Sequence, residues 1–152
     1  METMTREDKE LLLKDLCARL PYGVKVKTYI QEPYTLKGLF ETEYNGIVGC
    51  LLSKHPYKDE SPKTTNYPLS EFKPYLLPLS SMTEAQQEEF DKIYADDMQV
   101  VANNLKNRLD GKPYETNLGH YRHIDWLNAN HFDYRGLIPK GLAIDATGLN
   151  IY

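Results

Sequence analysis

The sequence predicts an α+β fold, in which an N-terminal helix, a small SH3-like β-barrel and a helical C-terminal half pack as one unit. Three observations support this fold class. The chain has 152 residues, the length of one typical domain. Its two ends carry apolar residues at helical spacing, and its middle alternates apolar and polar residues between prolines. We expect the helix in residues 1–20, the barrel in 21–79 and the helical region in 80–152.

The first helix is predicted to begin near Thr5, because Thr5 and Asp8 form an approximate capping box. Pro21 and Gly23 end it. Between these signals the apolar residues recur at the spacing of one helix face, which predicts a buried stripe. The stripe consists of Leu12, Leu13, Leu16, Cys17 and Leu20.

Five short strands are predicted in the middle of the chain, at 24–30, 34–40, 47–52, 67–69 and 75–79. Asn45 and Gly46 predict a tight hairpin between the second and third of them, because both residues tolerate positive φ. Residues 53–66 are polar and predict a long exposed loop. Short strands joined in this way favour a small SH3-like barrel, an architecture that implies no function by itself.

The second predicted helix is the clearest element. Thr83 and Gln86 form a capping box at its start, and Gly111 marks its end. Asp96 and Asp97 are a candidate break point within it.

The last part of the chain predicts one more helix and a turn. Asp125 is a suitable N-cap for a helix that runs to about Phe132, and Asp133 is predicted to cap the short turn that follows. The tail from Gly141 to Tyr152 has apolar residues at mostly even spacing. That spacing fits either an edge strand or a mobile segment.

Charge and hydropathy exclude some classes of protein. The net charge of −4 lacks the basic excess of most nucleic-acid binders. No stretch approaches the ~18 apolar residues of a membrane span, and the N-terminus has no apolar signal segment. We therefore predict a cytoplasmic protein with no membrane partner. Cys17 and Cys50 each lie in an apolar run and are predicted to be buried, reduced thiols.

Three segments carry a family resemblance. They are residues 9–26 (KELLLKDLCARLPYGVKV), 68–83 (PLSEFKPYLLPLSSMT) and 125–138 (DWLNANHFDYRGLI). Together they resemble a family of short uncharacterised proteins from gut bacteria and their phages or mobile elements. The resemblance implies a phage or prophage origin. It implies no activity, cofactor or site residue.

Histidines are the first candidates for chemistry. His120 and His123 lie one helical turn apart if that stretch is helical, and His131 follows near Asp125 and Asp133. Imidazole and carboxylate groups can bind zinc or iron when three or four of them converge. The sequence has no HExxH, GxSxG, GxGxxG or Walker pattern. We therefore interpret the histidines as structural or surface residues and predict no cofactor and no catalytic residue, with a metal-dependent enzyme as an alternative.

Two further patterns allow functional interpretations. Seven tyrosines lie among lysines between Tyr22 and Tyr75, and small barrels can stack bases on such aromatic side chains, so a nucleic-acid-binding module is an alternative. Acidic residues crowd the start of the second helix, and we interpret them as a solvated face. The rarer alternatives are an electrostatic lure for a basic partner and a mimic of nucleic-acid charge. The acidic residues are Glu84, Glu88, Glu89, Asp91, Asp96 and Asp97.

The segment that contains Trp126, Phe132, Tyr134 and Arg135 combines the residue types that are enriched at binding hot spots. The same side chains would also anchor the C-terminal helices, and we favour that packing role. Taken together, the sequence predicts a non-catalytic interaction or accessory protein of phage or mobile-element origin that binds another protein.

Overall fold

Three α-helices and seven strands form the part of the chain that the computed structural model describes, namely residues 4–28, 33–43, 46–52, 64–71, 73–112 and 121–152. The helices are α1 (Arg6–Arg19), α2 (Glu84–Leu109) and α3 (Arg122–Ala129). The strands are β1 (Lys25–Lys27), β2 (Tyr34–Thr42), β3 (Gly46–Leu52), β4 (Thr64–Pro68), β5 (Lys73–Pro78), β6 (Phe132–Asp133) and β7 (Ile144–Asp145). The predicted α+β class is confirmed.

Helix α1 begins where the capping signal places it, and the Thr5 hydroxyl accepts a hydrogen bond from the Asp8 amide. Its buried face, however, is rotated from the predicted stripe. Asp15 and Arg19 are buried beside Leu12 and Leu16. Cys17 is exposed and free, so the prediction that it is buried is wrong, and the side chain of Cys50 lies outside the described part.

The strands form one open sheet in the order β4-β3-β2-β1-β5-β6, with β7 also paired to β5. A hairpin joins β2 to β3, and Thr42 pairs with Gly46 at its end; Asn45 lies outside the described residues. Among the described strands, β4 pairs with β3 alone, so nothing links the two ends of the sheet. The predicted SH3-like barrel is therefore not supported.

Strand β5 lies between segments from distant parts of the chain. The Leu77 amide donates to the His131 carbonyl at 2.8 Å, and the Leu76 carbonyl accepts from the Ala146 amide at 2.8 Å. Backbone groups of successive strand residues point to opposite sides, so β6 and β7 flank the two edges of β5. The C-terminal region is thus not purely helical. Its tail supplies a strand, one of the two outcomes that its even spacing predicted.

Helix α2 follows the sequence closely. Thr83 and Gln86 make the complete capping box, with the Thr83 amide 2.9 Å from Gln86 Oε1 and the Gln86 amide 3.2 Å from Thr83 Oγ1. The helix runs unbroken through Asp96 and Asp97 to a C-cap at Asp110. Its 26 residues give a length of about 39 Å at 1.5 Å per residue.

Helix α3 begins four residues earlier than predicted, with Tyr121 rather than Asp125 at the N-cap position. The Asp125 carboxylate instead accepts a hydrogen bond from the Tyr22 hydroxyl; burial, together with this carboxylate, raises the pKa of Tyr22. Asp133 does cap the next turn, because its two carboxylate oxygens each accept one backbone amide at 2.9 Å, from Leu137 and Ile138.

The hydrophobic core lies between α1, the sheet and the C-terminal turn. It joins side chains of the first helix to strand residues and to the segment after β6, so the two ends of the chain share one interior. Its fully buried members are Leu12, Leu16, Val24, Val26, Leu76 and Leu137. Of the predicted loop at 53–66, residues 64–66 belong to β4 and the rest lie outside the described residues.

Candidate functional site

Five large apolar side chains lie exposed along one side of α2. Their exposed fractions run from 36% for Met98 to 79% for Leu109. Exposed apolar rows of this kind are uncommon on proteins that function alone, because they leave hydrophobic surface in water. We call this row the apolar face; it consists of Tyr94, Met98, Val101, Leu105 and Leu109.

The side of α2 that packs on the protein lies about a quarter turn around the helix axis from the apolar face. Tyr94 lies at the border between the two sides, and its ring centroid is 5.1 Å from that of His123. Phe90 contacts the rings of Trp126 and His123, with centroids 5.7 and 6.3 Å away, and Asp97 is fully buried. Val100 is half-buried on the same side. A helix with apolar residues on two sides has more hydrophobic surface than one neighbour can cover. The apolar face is therefore the part of the hydrophobic surface of α2 that is left exposed.

Charge is unevenly distributed along α2. The exposed residues near its start are acidic, and those near its end are mostly basic. This arrangement also suits the helix dipole. The acidic group comprises Glu84, Glu88, Glu89 and Asp91, and the basic group comprises Lys106 and Arg108, with Lys112 beyond the end of the helix.

Asp97 is the exception in the predicted acidic cluster, because it is buried and paired. Its Oδ2 accepts the His123 amide at 2.8 Å and lies 2.6 Å from His123 Nδ1, and its Oδ1 lies 3.3 Å from Arg122 Nε. Burial alone would raise the pKa of Asp97, but these hydrogen bonds outweigh it and hold the pKa below its usual value. An ionised carboxylate only accepts, so Nδ1 of His123 carries a proton.

A second set of buried charges joins α1 to the segment around β6. Arg19 Nε donates to Asp15 Oδ2 at 2.8 Å, and both side chains are fully buried. Arg135 Nη1 donates to Asp15 Oδ1 at 3.0 Å, and Arg19 Nη2 donates to the Phe132 carbonyl at 2.5 Å. We call Asp15, Arg19 and Arg135 the buried ion cluster. Because it links residues far apart in sequence, it fixes α1 against the C-terminal segment.

The four residues with hot-spot character lie in or beside this packing. Phe132 is 1% exposed, and its ring stacks on Trp126 at 5.7 Å. Tyr134 donates to Asn128 Oδ1 at 2.9 Å, and its ring contacts the guanidinium groups of Arg135 and Arg19. Their contacts are thus made within the chain. A role in binding a partner stays a prediction for these residues.

His131 is stacked on Tyr152, with ring centroids 3.4 Å apart. Burial, with Arg19 and Lys25 nearby, lowers the pKa of His131 to about 4, so the imidazole is neutral at physiological pH. The Tyr152 hydroxyl donates to the Tyr75 carbonyl at 2.8 Å and accepts from the Lys25 amide. Burial raises the pKa of Tyr152 to about 12. The pair ties the tail to β1 and β5.

The histidine candidates for a metal site have separate roles where they are described. His123 is held by Asp97, and His131 is held by Tyr152. His120 lies outside the described residues. Within the described part of the chain, no three His, Cys, Asp or Glu side chains are grouped as metal ligands.

A cleft of about 630 Å³ opens beside the junction of β1 and β5. Lys27 and Lys73 line it and are directly opposite each other in the sheet. Like charges in that position repel each other. The described residues that line the cleft also include Thr28, Ser70, Glu71 and Ile144.

The predicted tyrosine and lysine surface is only partly described. Tyr67 and Tyr75 are buried at 7% and 6% exposure, and Tyr22 and Tyr34 are half-buried. Lys25 donates to the Ile151 carbonyl at 2.9 Å. The tyrosines at 29, 44 and 57 and the lysines at 54, 58 and 63 lie outside the described residues. None of the four described tyrosines therefore offers a freely exposed ring for base stacking.

Comparison of the chain with protein-family models, with curated proteins and with solved structures finds no match. Within the described residues, no helix has the length and apolar character needed to cross a membrane. The resemblance drawn from the sequence accordingly stays a prediction.

The sequence contained a signal for the apolar face. Along α2 the apolar residues fall into two rows rather than one, because Phe90, Ile93 and Val100 form one row and Met98 and Leu105 belong to another. A single buried face needs only one such row. Which row would be covered depends on α3, whose position the sequence did not specify.

Proposed function

We propose that the chain is a non-catalytic interaction protein of the cytoplasm, and that it binds an amphipathic helix of another protein chain on the apolar face of α2. The observation that carries this proposal is the row of exposed apolar side chains at intervals of three and four residues. Such spacing is the pattern by which helices recognise each other in grooves and coiled coils.

The occupant is a helix because the face is long and narrow. Met98, Val101 and Leu105 follow one another along the axis of α2, and Ala95 and Ala102 lie exposed beside them. Small residues beside large ones leave space for side chains of a neighbouring helix. The charges favour one orientation of the partner. Electrostatic attraction is strongest when the basic end of the partner helix lies over Glu84 and Glu88.

Site-specific photo-crosslinking in the native host tests this function. A photoreactive amino acid is placed at Val101 or Leu105, and a matched control is placed at Lys92, which is exposed on the opposite side of the same helix. We expect adducts with a protein chain from the two apolar positions and none from the control. Equal labelling at all three positions, or none at any, contradicts the proposal.

A phage or mobile-element origin is part of this proposal, and the resemblance of three segments is its support. Sequencing of the genes on either side tests it. Replication, packaging or integration genes in that neighbourhood are expected. A neighbourhood made up of housekeeping genes contradicts this origin.

A nucleic-acid-binding module is the second candidate, and the cleft between Lys27 and Lys73 is the observation that favours it. Two lysines held directly opposite each other would be relieved of their repulsion by a phosphate between them. A gel-shift titration at several salt concentrations tests this candidate, with Lys27→Gln and Lys73→Gln against Lys140→Gln as the control. We expect binding that weakens steeply with salt and is lost in the first two variants. Equal binding of nucleic acid by all three variants contradicts this candidate function.

The metal-dependent enzyme remains a third prediction from the sequence. Elemental analysis of the purified protein, followed by a melting curve with added zinc, tests it. Bound metal or a raised Tm would support this alternative over the non-catalytic function.

A further inference from the structure

We infer that the helix bound to the apolar face is α2 of a second copy of this chain, and that the two helices run antiparallel. This inference rests on the proposed function and names its partner. A helix that exposes an apolar row to a like helix forms an isologous interface, in which each copy offers the same surface.

The spacing of the apolar face fits helix pairing. Tyr94, Met98, Val101 and Leu105 are separated by four, three and four residues, which is the alternation of a heptad. Two helices with this alternation wind around each other at a shallow angle and keep their apolar rows in contact. An antiparallel pair centred midway between Met98 and Val101 places Tyr94 of each copy beside Leu105 of the other and Met98 beside Val101, so the apolar rows stay in contact.

The charges select the antiparallel orientation. In a parallel pair, the acidic start of α2 would face its own copy, and Glu88 would lie near Glu88. In an antiparallel pair centred midway between Met98 and Val101, Asp91 of one copy lies near Arg108 of the other. Both side chains are exposed and available for this contact. Electrostatic complementarity of this kind fixes orientation more than it adds affinity.

Sedimentation of the full-length chain tests the inference. The wild type is expected to shift with concentration from the 17.6 kDa chain to twice that mass. The double variant Val101→Glu, Leu105→Glu is expected to stay monomeric. Circular dichroism is measured on each variant to verify that the fold is kept.

Charge reversal tests the orientation separately. Asp91→Lys should raise the Kd of the dimer at least about tenfold, because a basic residue would then face Arg108. Adding Arg108→Glu to the same chain should restore the dimer. Glu89→Lys, on the opposite side of α2, is the matched control and should leave the Kd unchanged.

The outcomes distinguish this inference from the proposed function. A wild type that stays monomeric at every concentration overturns the inference, while crosslinks from Val101 to a different protein would still support the function. A dimer that survives the two glutamate substitutions overturns it as well. A dimer that is weakened by the first charge reversal but not restored by the second contradicts the antiparallel orientation.

Discussion

The buried ion cluster and the apolar face of α2 place opposite kinds of side chain in opposite environments. In the first region, Asp15 and Arg19 are fully buried and paired with each other, although Nη1 of Arg19 has no hydrogen-bond partner among the described residues. In the second, Leu105 and Leu109 stay exposed to water. The charged side chains find their partners within the chain, whereas the apolar side chains are left exposed by it, and for that reason we propose a partner for the apolar face. Buried charge is costly unless it is paired, and exposed apolar surface is costly unless it is covered.

The largest effect is expected from breaking the buried ion cluster. Arg19→Met removes the donor to Asp15 and to the Phe132 carbonyl, and should lower the free energy of unfolding by about 3–5 kcal/mol, because a buried carboxylate loses a partner. Arg6→Met is the matched control, since Arg6 pairs with Glu10 at the same spacing in the same helix but is exposed. Its effect should stay within about 0.5 kcal/mol. Urea denaturation measures both, and equal losses would contradict the role of burial.

Trp126→Ala and Leu109→Ala compare a side chain that packs against the protein with one that is exposed. Trp126 is half-buried and stacked on Phe132, so its truncation should lower the free energy of unfolding by about 3 kcal/mol. Leu109→Ala, on the exposed end of α2, should have almost no effect in dilute solution. Thermal melting measures both variants. An unchanged Tm for Trp126→Ala would instead assign this residue to a binding surface.

The burial of His131 also predicts a dependence on pH. The pKa of His131 is lowered to about 4, so the unfolded chain takes up a proton below its usual pKa near 6.5 while the folded chain does not. Stability should therefore fall as the pH decreases from 7 to 4, by on the order of 3 kcal/mol from this group. His131→Asn, which does not titrate and tolerates the positive φ of 62° at this position, should remove that part of the fall. Parallel stability curves for the two proteins between pH 7 and 4 would contradict the assignment.

The smallest effect on stability is expected on the apolar face. Leu105→Gln should change the free energy of unfolding by no more than about 0.5 kcal/mol at low protein concentration, because the side chain is already in water. Leu16→Ala is the contrasting variant, since Leu16 is fully buried, and should cost about 2–5 kcal/mol. Chemical denaturation compares them. A large loss in Leu105→Gln would mean that the chain itself covers this face.

The sequence predicted best where the signal is local. The capping box of Thr83 and Gln86 and the hairpin between β2 and β3 depend on neighbours in the chain, and both are present. Asp97 looked like its acidic neighbours because its partner His123 approaches only in the folded protein. The burial of Asp15 likewise depends on Arg135, a contact between residues separated by 120 positions. Tertiary contacts of this kind leave no local pattern.

Reliance on local signals also explains why the start of α3 and the barrel were predicted wrongly. Asp125 is a good N-cap by residue type, but its carboxylate binds the Tyr22 hydroxyl, which only the folded chain brings near. Short strands occur both in closed barrels and in open sheets. Strand length alone therefore could not distinguish the predicted barrel from the open sheet that forms. The order of strands decides between them, and that order includes β6 and β7 from a region that looked helical.

The position of β5 has a consequence for how the chain is made. This strand leaves the ribosome well before β6 and β7, yet one of its edges depends on β6, and the other, which pairs with β1 at Lys73 and Pro74, depends on β7 for its remaining length. The hairpin of β2 and β3 can form early, since it needs only nearby residues. The amides and carbonyls of β5 that pair with β6 and β7 stay unpaired until those later segments are made. Unpaired edges invite pairing with other chains, and distant contacts form slowly. Truncation before residue 132 should therefore yield a product that aggregates during synthesis rather than a smaller stable protein.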